Sequence, residues 1–141
     1  MELVSKIHGT MEYTSKDVVT FKKGIPGFLE YKKYVLLDLE GNEPFKILHS
    51  LENDELAFVV ISPFEVKKDY EIELKEDVKE SLNLRSYEDV LILTTVTLNS
   101  KVQNITTNLC APLIININEN IGEQIILDNN KYKIKQPLLE V

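Results

Sequence analysis

The chain has 141 residues, about the length of one domain, and its 43% hydrophobic and 28% charged content is ordinary for a folded soluble protein. It carries 23 acidic against 16 basic side chains, a net charge of −7, and Arg85 is its only arginine. That balance argues against a nucleic-acid binder, which gathers Lys and Arg against phosphates, and favours a basic protein as partner, although acidity also serves solubility alone.

In chain order the pattern reads mostly as strands. Leu3, Ser5 and Ile7 alternate with Val4, Lys6 and His8. Val18 to Phe21 is a short β-branched run. Ile25-Pro26-Gly27-Phe28 predicts a type II turn, because Pro26 presets φ at the first central position and Gly27 accepts φ > 0 at the second. Its ends are apolar where polar residues are usual, so the turn either plugs a core or meets a partner. Tyr34 to Leu39, Phe45 to Leu51 and Leu56 to Ile61 are three apolar segments, separated by Glu40-Gly41-Asn42 and Glu52-Asn53-Asp54. Tyr70, Ile72 and Leu74 oppose Glu71, Glu73 and Lys75 in a half-buried alternation. Leu74, Val78 and Leu82 recur every four residues, which predicts a single helix near Lys75 to Leu84 with Glu76 and Asp77 in its first turn.

Val90 to Leu98 is the longest predicted strand, apolar on both faces over Val90-Leu91-Ile92-Leu93, as in the middle of a sheet system. Ile105 to Ile117 is a further strand, broken at Pro112, which cannot donate to a ladder. Ile125 to Leu127 and Lys131 to Lys135 flank Asp128-Asn129-Asn130 and predict a hairpin, with Tyr132 and Ile134 facing in. Many short strands and one short helix predict a mainly β fold, a small antiparallel β-barrel or barrel-like sandwich, in a single domain over residues 1–141.

Catalytic and metal chemistry find little support. His8, His49 and Cys110 are far apart in the chain and match no metal-ligand spacing. A Cys110–His49 pair is conceivable, but Cys110 lies between Leu109 and Ala111 and reads as a small buried hydrophobe. The carboxylates sit in polar runs, and the glycines form no phosphate-cradling loop. No enzyme and no cofactor is therefore expected. Met1 to Lys6 lack the basic head and apolar stretch of a signal peptide, no apolar run approaches the ~20 residues of a spanning helix, and Cys110 has no internal disulfide partner, so a cytoplasmic protein is expected.

Phe21, Gly24-Ile25-Pro26-Gly27-Phe28, Phe45, Leu48, Ser50, Ala57-Phe58-Val59-Val60-Ile61, Pro63-Phe64 and Tyr70 form an ordered set. It continues with Val96-Thr97, Thr107-Asn108-Leu109, Ala111-Pro112, Asn116 and Pro137-Leu138. Taken together these resemble the flagellar assembly factor family, FliW, along nearly the whole chain. Cys110 stands where a small or polar residue is expected, and Gln136 where a histidine is.

The resemblance implies a non-enzymatic cytoplasmic barrel, monomeric when free. Its partners would be flagellin and, in competition, the RNA-binding translational repressor CsrA, with no direct contact to nucleic acid or membrane. On that footing two surfaces are candidates. Glu71, Glu73, Glu76, Asp77 and Glu80 would meet the basic repressor, and Ile25, Phe28 and Phe64, set beside turn residues, would form an apolar contact patch. Other readings remain open. One is a small-ligand barrel of lipocalin type; another is a hydrolase built on Cys110 and His49.

Overall fold

Alternating and β-branched runs do form strands in the computed structural model of the protein, which describes residues 1–128 and 130–139. These strands are β1 Glu2–Ser5, β2 Gly9–Glu12, β3 Val18–Thr20, β4 Lys33–Asp38, β5 Lys46–Ser50 and β6 Ala57–Ile61. They continue with β7 Val90–Thr97, β8 Thr106–Thr107, β9 Leu113–Asn116, β10 Ile121–Gln124 and β11 Gln136–Pro137, and α1 covers Glu76–Ser81.

Seven strands close into a ring in the order β7, β6, β5, β4, β3, β10, β9 and back to β7. Every pairing in the ring is antiparallel except β3 with β10, which meet in parallel at Thr20 and Ile121. The predicted strand from Ile105 to Ile117 breaks as Pro112 requires. Its two pieces, β8 and β9, pair along the same edge of β7, at Val96–Thr97 and Val90–Leu93 respectively.

The two apolar faces of Val90–Leu93 are both used. Leu91 and Leu93 face the barrel interior with Val19, Phe21, Tyr34, Leu48, Val60, Leu113 and Ile115, while Val90 and Ile92 face a second cluster outside the barrel. That outer cluster is the helix footprint: Leu74, Val78 and Leu82 pack on Ile114 and Ile121. Six residues are too few to hold a helix alone, so this packing holds it, at roughly 1.5–3 kcal/mol per buried side chain. β9 is buried at all four positions because the core covers one face and α1 the other.

Four expectations need correction. The first strand stops at Ser5, and Ile7 lies in the following turn, 53% exposed. The helix is shorter than Lys75 to Leu84, ending at Ser81. Tyr70 to Leu74 alternate in burial as expected but join no ladder. The hairpin over Ile125 to Lys135 has its loop partly outside the described residues, at Asn129. Its two arms bond to the chain around Pro112: Ile125 N–H to Pro112 O, Leu127 N–H to Cys110 O, and Leu109 N–H to Lys133 O. Tyr132 is buried, but Ile134 is 65% exposed.

β1 and β2 form a separate two-stranded sheet. It is pinned to the barrel by the bond between the Lys6 N–H and Asp54 O at 2.9 Å and by Ser5, whose hydroxyl lies 2.6 Å from His49 Nε2. Among the described residues no helix is long and apolar enough to cross a membrane.

Candidate protein-interaction surface

The helix is placed by its ends. Asn83 takes φ +52°, and the N–H groups of Asn83 and Leu84 donate to Glu80 O and Lys79 O at 3.2 and 2.9 Å. This is the Schellman arrangement, with asparagine filling the left-handed position usually held by glycine. Asn116, 1% exposed at the end of β9, donates from Nδ2 to Leu82 O at 2.7 Å. Its Oδ1 accepts from the N–H groups of Asn118 and Glu119. The acids Glu71, Glu73, Glu76, Asp77 and Glu80 are all exposed along this helix and its approach. Glu76 is paired with Lys79 at 3.5 Å.

Between the start of α1 and the chain that continues β10 runs a groove of about 630 Å³, lined by residues 73–75, 77–78 and 123–128. Leu74 and Val78 are its apolar floor, and Ile126 stands 73% exposed on its wall. Glu73 and Asp77 lie on one side and Asp128 on the other. Lys75 Nζ reaches across to Asp128 Oδ2 at 3.0 Å. That hydrogen bond holds the Asp128 carboxyl below the usual range and the Lys75 ammonium above it. Glu123 is drawn inward, its Oε1 accepting from Ser81 Oγ at 2.8 Å and lying 3.2 Å from Lys23 Nζ.

A second groove, about 410 Å³, brings Phe64, Glu71, Ile72 and Tyr87 together. Phe64 is 45% exposed and stands edge-on to Tyr70, ring centroids 5.9 Å apart. Tyr70 Oη donates to Leu109 O at 2.8 Å, and Tyr132 Oη accepts from the Glu71 N–H at 2.7 Å. These bonds tie the start of the Tyr70 to Leu74 segment to Leu109 and Tyr132.

The predicted turn is present: the Phe28 N–H donates to Ile25 O at 2.7 Å, and Gly27 takes φ +90°. Ile25, however, is 2% exposed and belongs to the barrel core. That corrects the expected patch of Ile25, Phe28 and Phe64, since Ile25 has no surface to offer. Phe28 is half-buried and packs edge-on to Phe58 at 5.6 Å. Gly24 is required, because a Cβ there would lie 2.6 Å from Leu29 O at φ +70°.

His49 is fully buried, with Nδ1 2.8 Å from Ser50 O. A carbonyl only accepts, so Nδ1 carries the proton and Nε2 accepts from the Ser5 hydroxyl. The Cys110 thiol donates to Leu127 O at 3.6 Å. Each group is thus engaged elsewhere, and no Cys110–His49 pair is formed. Among the described residues no three His, Cys, Asp or Glu side chains gather as a metal site.

The residues that sequence reasoning missed are Glu123 to Asp128. Nothing in their own pattern marks them, because the groove exists only where they meet residues some 50 positions earlier.

A seven-strand closed barrel with a filled interior and one short helix docked outside defines the class, a small mainly β barrel protein. The chain belongs to the FliW family, whose model, described as FliW protein, matches residues 2–138. It is 56% identical over 140 residues to the flagellar assembly factor FliW of Clostridium novyi, covering 99% of this chain and 98% of that one. It is 52% identical over 139 residues to the flagellar assembly factor FliW of Clostridium beijerinckii, covering 99% of both. It is also similar to a crystal structure of the flagellar assembly factor FliW, with TM-score 0.92 and 40% identity over 100% of this chain and 99% of that one. The family is one of assembly factors and not of enzymes.

Proposed function

We propose that this chain is a non-enzymatic flagellar assembly factor of the cytoplasm that works by exchanging protein partners. It binds flagellin. When flagellin is exported, the freed factor binds the RNA-binding translational repressor CsrA and lifts its hold on flagellin mRNA. The observation that carries this reading is the family match over residues 2–138, with the same barrel along the whole chain. The net charge of −7 supports it, because an acidic surface attracts a basic repressor and disfavours RNA without touching it. The acids along α1 and the two grooves beside it are the surfaces this reading uses.

Native mass spectrometry of the protein purified from its flagellated host tests the reading. A complex with flagellin or with the repressor is the expected result. A bound small molecule with neither protein would contradict it.

A further inference from the structure

Past Ile121 the chain loses a neighbour. β3 pairs with β10 only at Thr20 and Ile121, and past Glu123, which meets Lys23 and Ser81, no strand among the described residues pairs with that edge. On the other edge the hydrogen bonds alternate as an antiparallel ladder requires: Ile125 N–H to Pro112 O at 3.0 Å and Leu127 N–H to Cys110 O at 2.8 Å. Ile126, between them, turns its amide and carbonyl the opposite way, where they bond to none of the described residues. Residues 123–128 all line the 630 Å³ groove, odd and even alike, so the groove follows the backbone edge and not one side-chain face. Exposed edges are ordinarily blunted by lysine or proline, yet residues 121–128, Ile-Gly-Glu-Gln-Ile-Ile-Leu-Asp, contain neither.

We propose that the edge from Gln124 to Asp128 is a strand-addition site for an extended basic segment of a protein partner, laid in the groove beside α1. The inference rests on the reading of this chain as a protein-binding factor and names how that binding is made. Main-chain bonds to Ile126 would supply affinity, and alternate side chains of the guest would supply specificity. Half of them would rest on the floor made by Leu74 and Val78. The guest is basic because Lys75 and Asp128 neutralise one another, which leaves Glu73 and Asp77 on the groove with no lysine of their own. Those same carboxylates oppose a second copy of this chain at the edge.

The test uses the full chain and a labelled acetyl-Lys-Val-Lys-Val-Arg-Val-Lys-amide peptide. The comparison probe is the same peptide with alternate backbone amides methylated, which keeps its charge and removes its donors. The proposal expects saturable binding at low salt, with shifted and exchange-protected Gln124 and Ile126 amides. It expects at least about a tenfold weaker hold on the methylated peptide. Ile126→Pro removes an N–H that bonds to none of the described residues, so it should keep the melting temperature and lose about tenfold in peptide affinity. If that variant melts early, the methylated peptide decides.

Equal binding of both peptides, shifts confined to other residues, or protection that grows with protein concentration alone would each overturn the proposal. The same spectra with flagellin and with the repressor separate the two readings. Proteins that bind while the edge amides stay unchanged sink this inference and leave the function standing. A peptide that engages the edge while neither protein binds does the reverse.

Discussion

The side-chain amide of Asn116 donates to the Leu82 carbonyl at 2.7 Å and so fastens the last turn of α1 to β9. With the bonds that its Oδ1 accepts from Asn118 and Glu119, this buried side chain ties the helix, the barrel and the next turn into one unit. Asn116→Ala leaves Leu82 O and two backbone N–H groups without that partner. We expect a loss of about 2–4 kcal/mol in urea unfolding, with faster hydrogen exchange through Val78 to Leu84. An unchanged unfolding midpoint would contradict the role given to Asn116.

The two glycines of the Gly24-Ile25-Pro26-Gly27 segment are not equivalent. A Cβ at Gly24 would meet the Leu29 backbone at 2.6 Å, whereas at Gly27 nothing lies within 4 Å. Gly24→Ala should cost about 2–4 kcal/mol, from strain and a backbone clash together. Gly27→Ala should cost about 1 kcal/mol, from the positive φ alone. Thermal melts of the two variants check this, and equal losses would rule out the close approach at Gly24.

The three apolar residues of the expected contact patch should separate by burial. Ile25→Ala, in the core at 2% exposure, should lose about 2–5 kcal/mol. Phe64→Ala, at 45% exposure, should lose under about 1 kcal/mol and weaken partner binding. Denaturant midpoints and pull-downs on the same variants decide it. A Phe64 variant that unfolds as readily as the Ile25 variant would remove Phe64 from the surface.

Burial pushes the Tyr34 phenol up to about 12, and its hydroxyl has no partner among the described residues. The folded protein therefore keeps a proton that the unfolded chain releases near pH ~10. Stability from this group is complete below about pH 10 and falls between about pH 10 and 12, by at most about 1.4 kcal/mol per pH unit. Tyr70 is also raised by burial and acts with the same sign. Urea midpoints at about pH 8, 10 and 11 should show the fall, and Tyr34→Phe should lessen it while leaving the part due to Tyr70. A wild-type curve that stays level to pH ~11 would contradict the buried phenol.

The barrel was legible where burial alternates or runs solid. Val90 to Leu93, apolar on both faces, predict a central strand, and they face the core on one side and the helix footprint on the other. The helix was legible from Leu74, Val78 and Leu82, though its end was not, because Asn83 closes it through backbone geometry and not through pattern. No pattern marks β2, since Gly9-Thr10-Met11-Glu12 carry no buried face to alternate. The alternation pairs Tyr132 with Ile134, but Tyr132 is covered by Tyr70, with ring centroids 4.5 Å apart and planes tilted by 41°, while Ile134 is 65% exposed. The groove was invisible for a simpler reason: it is made by contacts between Glu73 to Val78 and Glu123 to Asp128, which no local pattern records.

If two protein partners exchange on this chain, a competition titration reveals it. Labelled repressor is titrated with this protein at several fixed flagellin concentrations. A chain of 141 residues has room for few separate patches of the roughly 800 Å² that a standard interface uses on each side, so overlap is the simplest arrangement. Exchange by overlap requires an apparent Kd that rises in proportion to free flagellin, with the reciprocal titration giving the same coupling. A plateau would show a ternary complex with finite coupling in place of overlap. An apparent Kd that does not move with flagellin would contradict the exchange account.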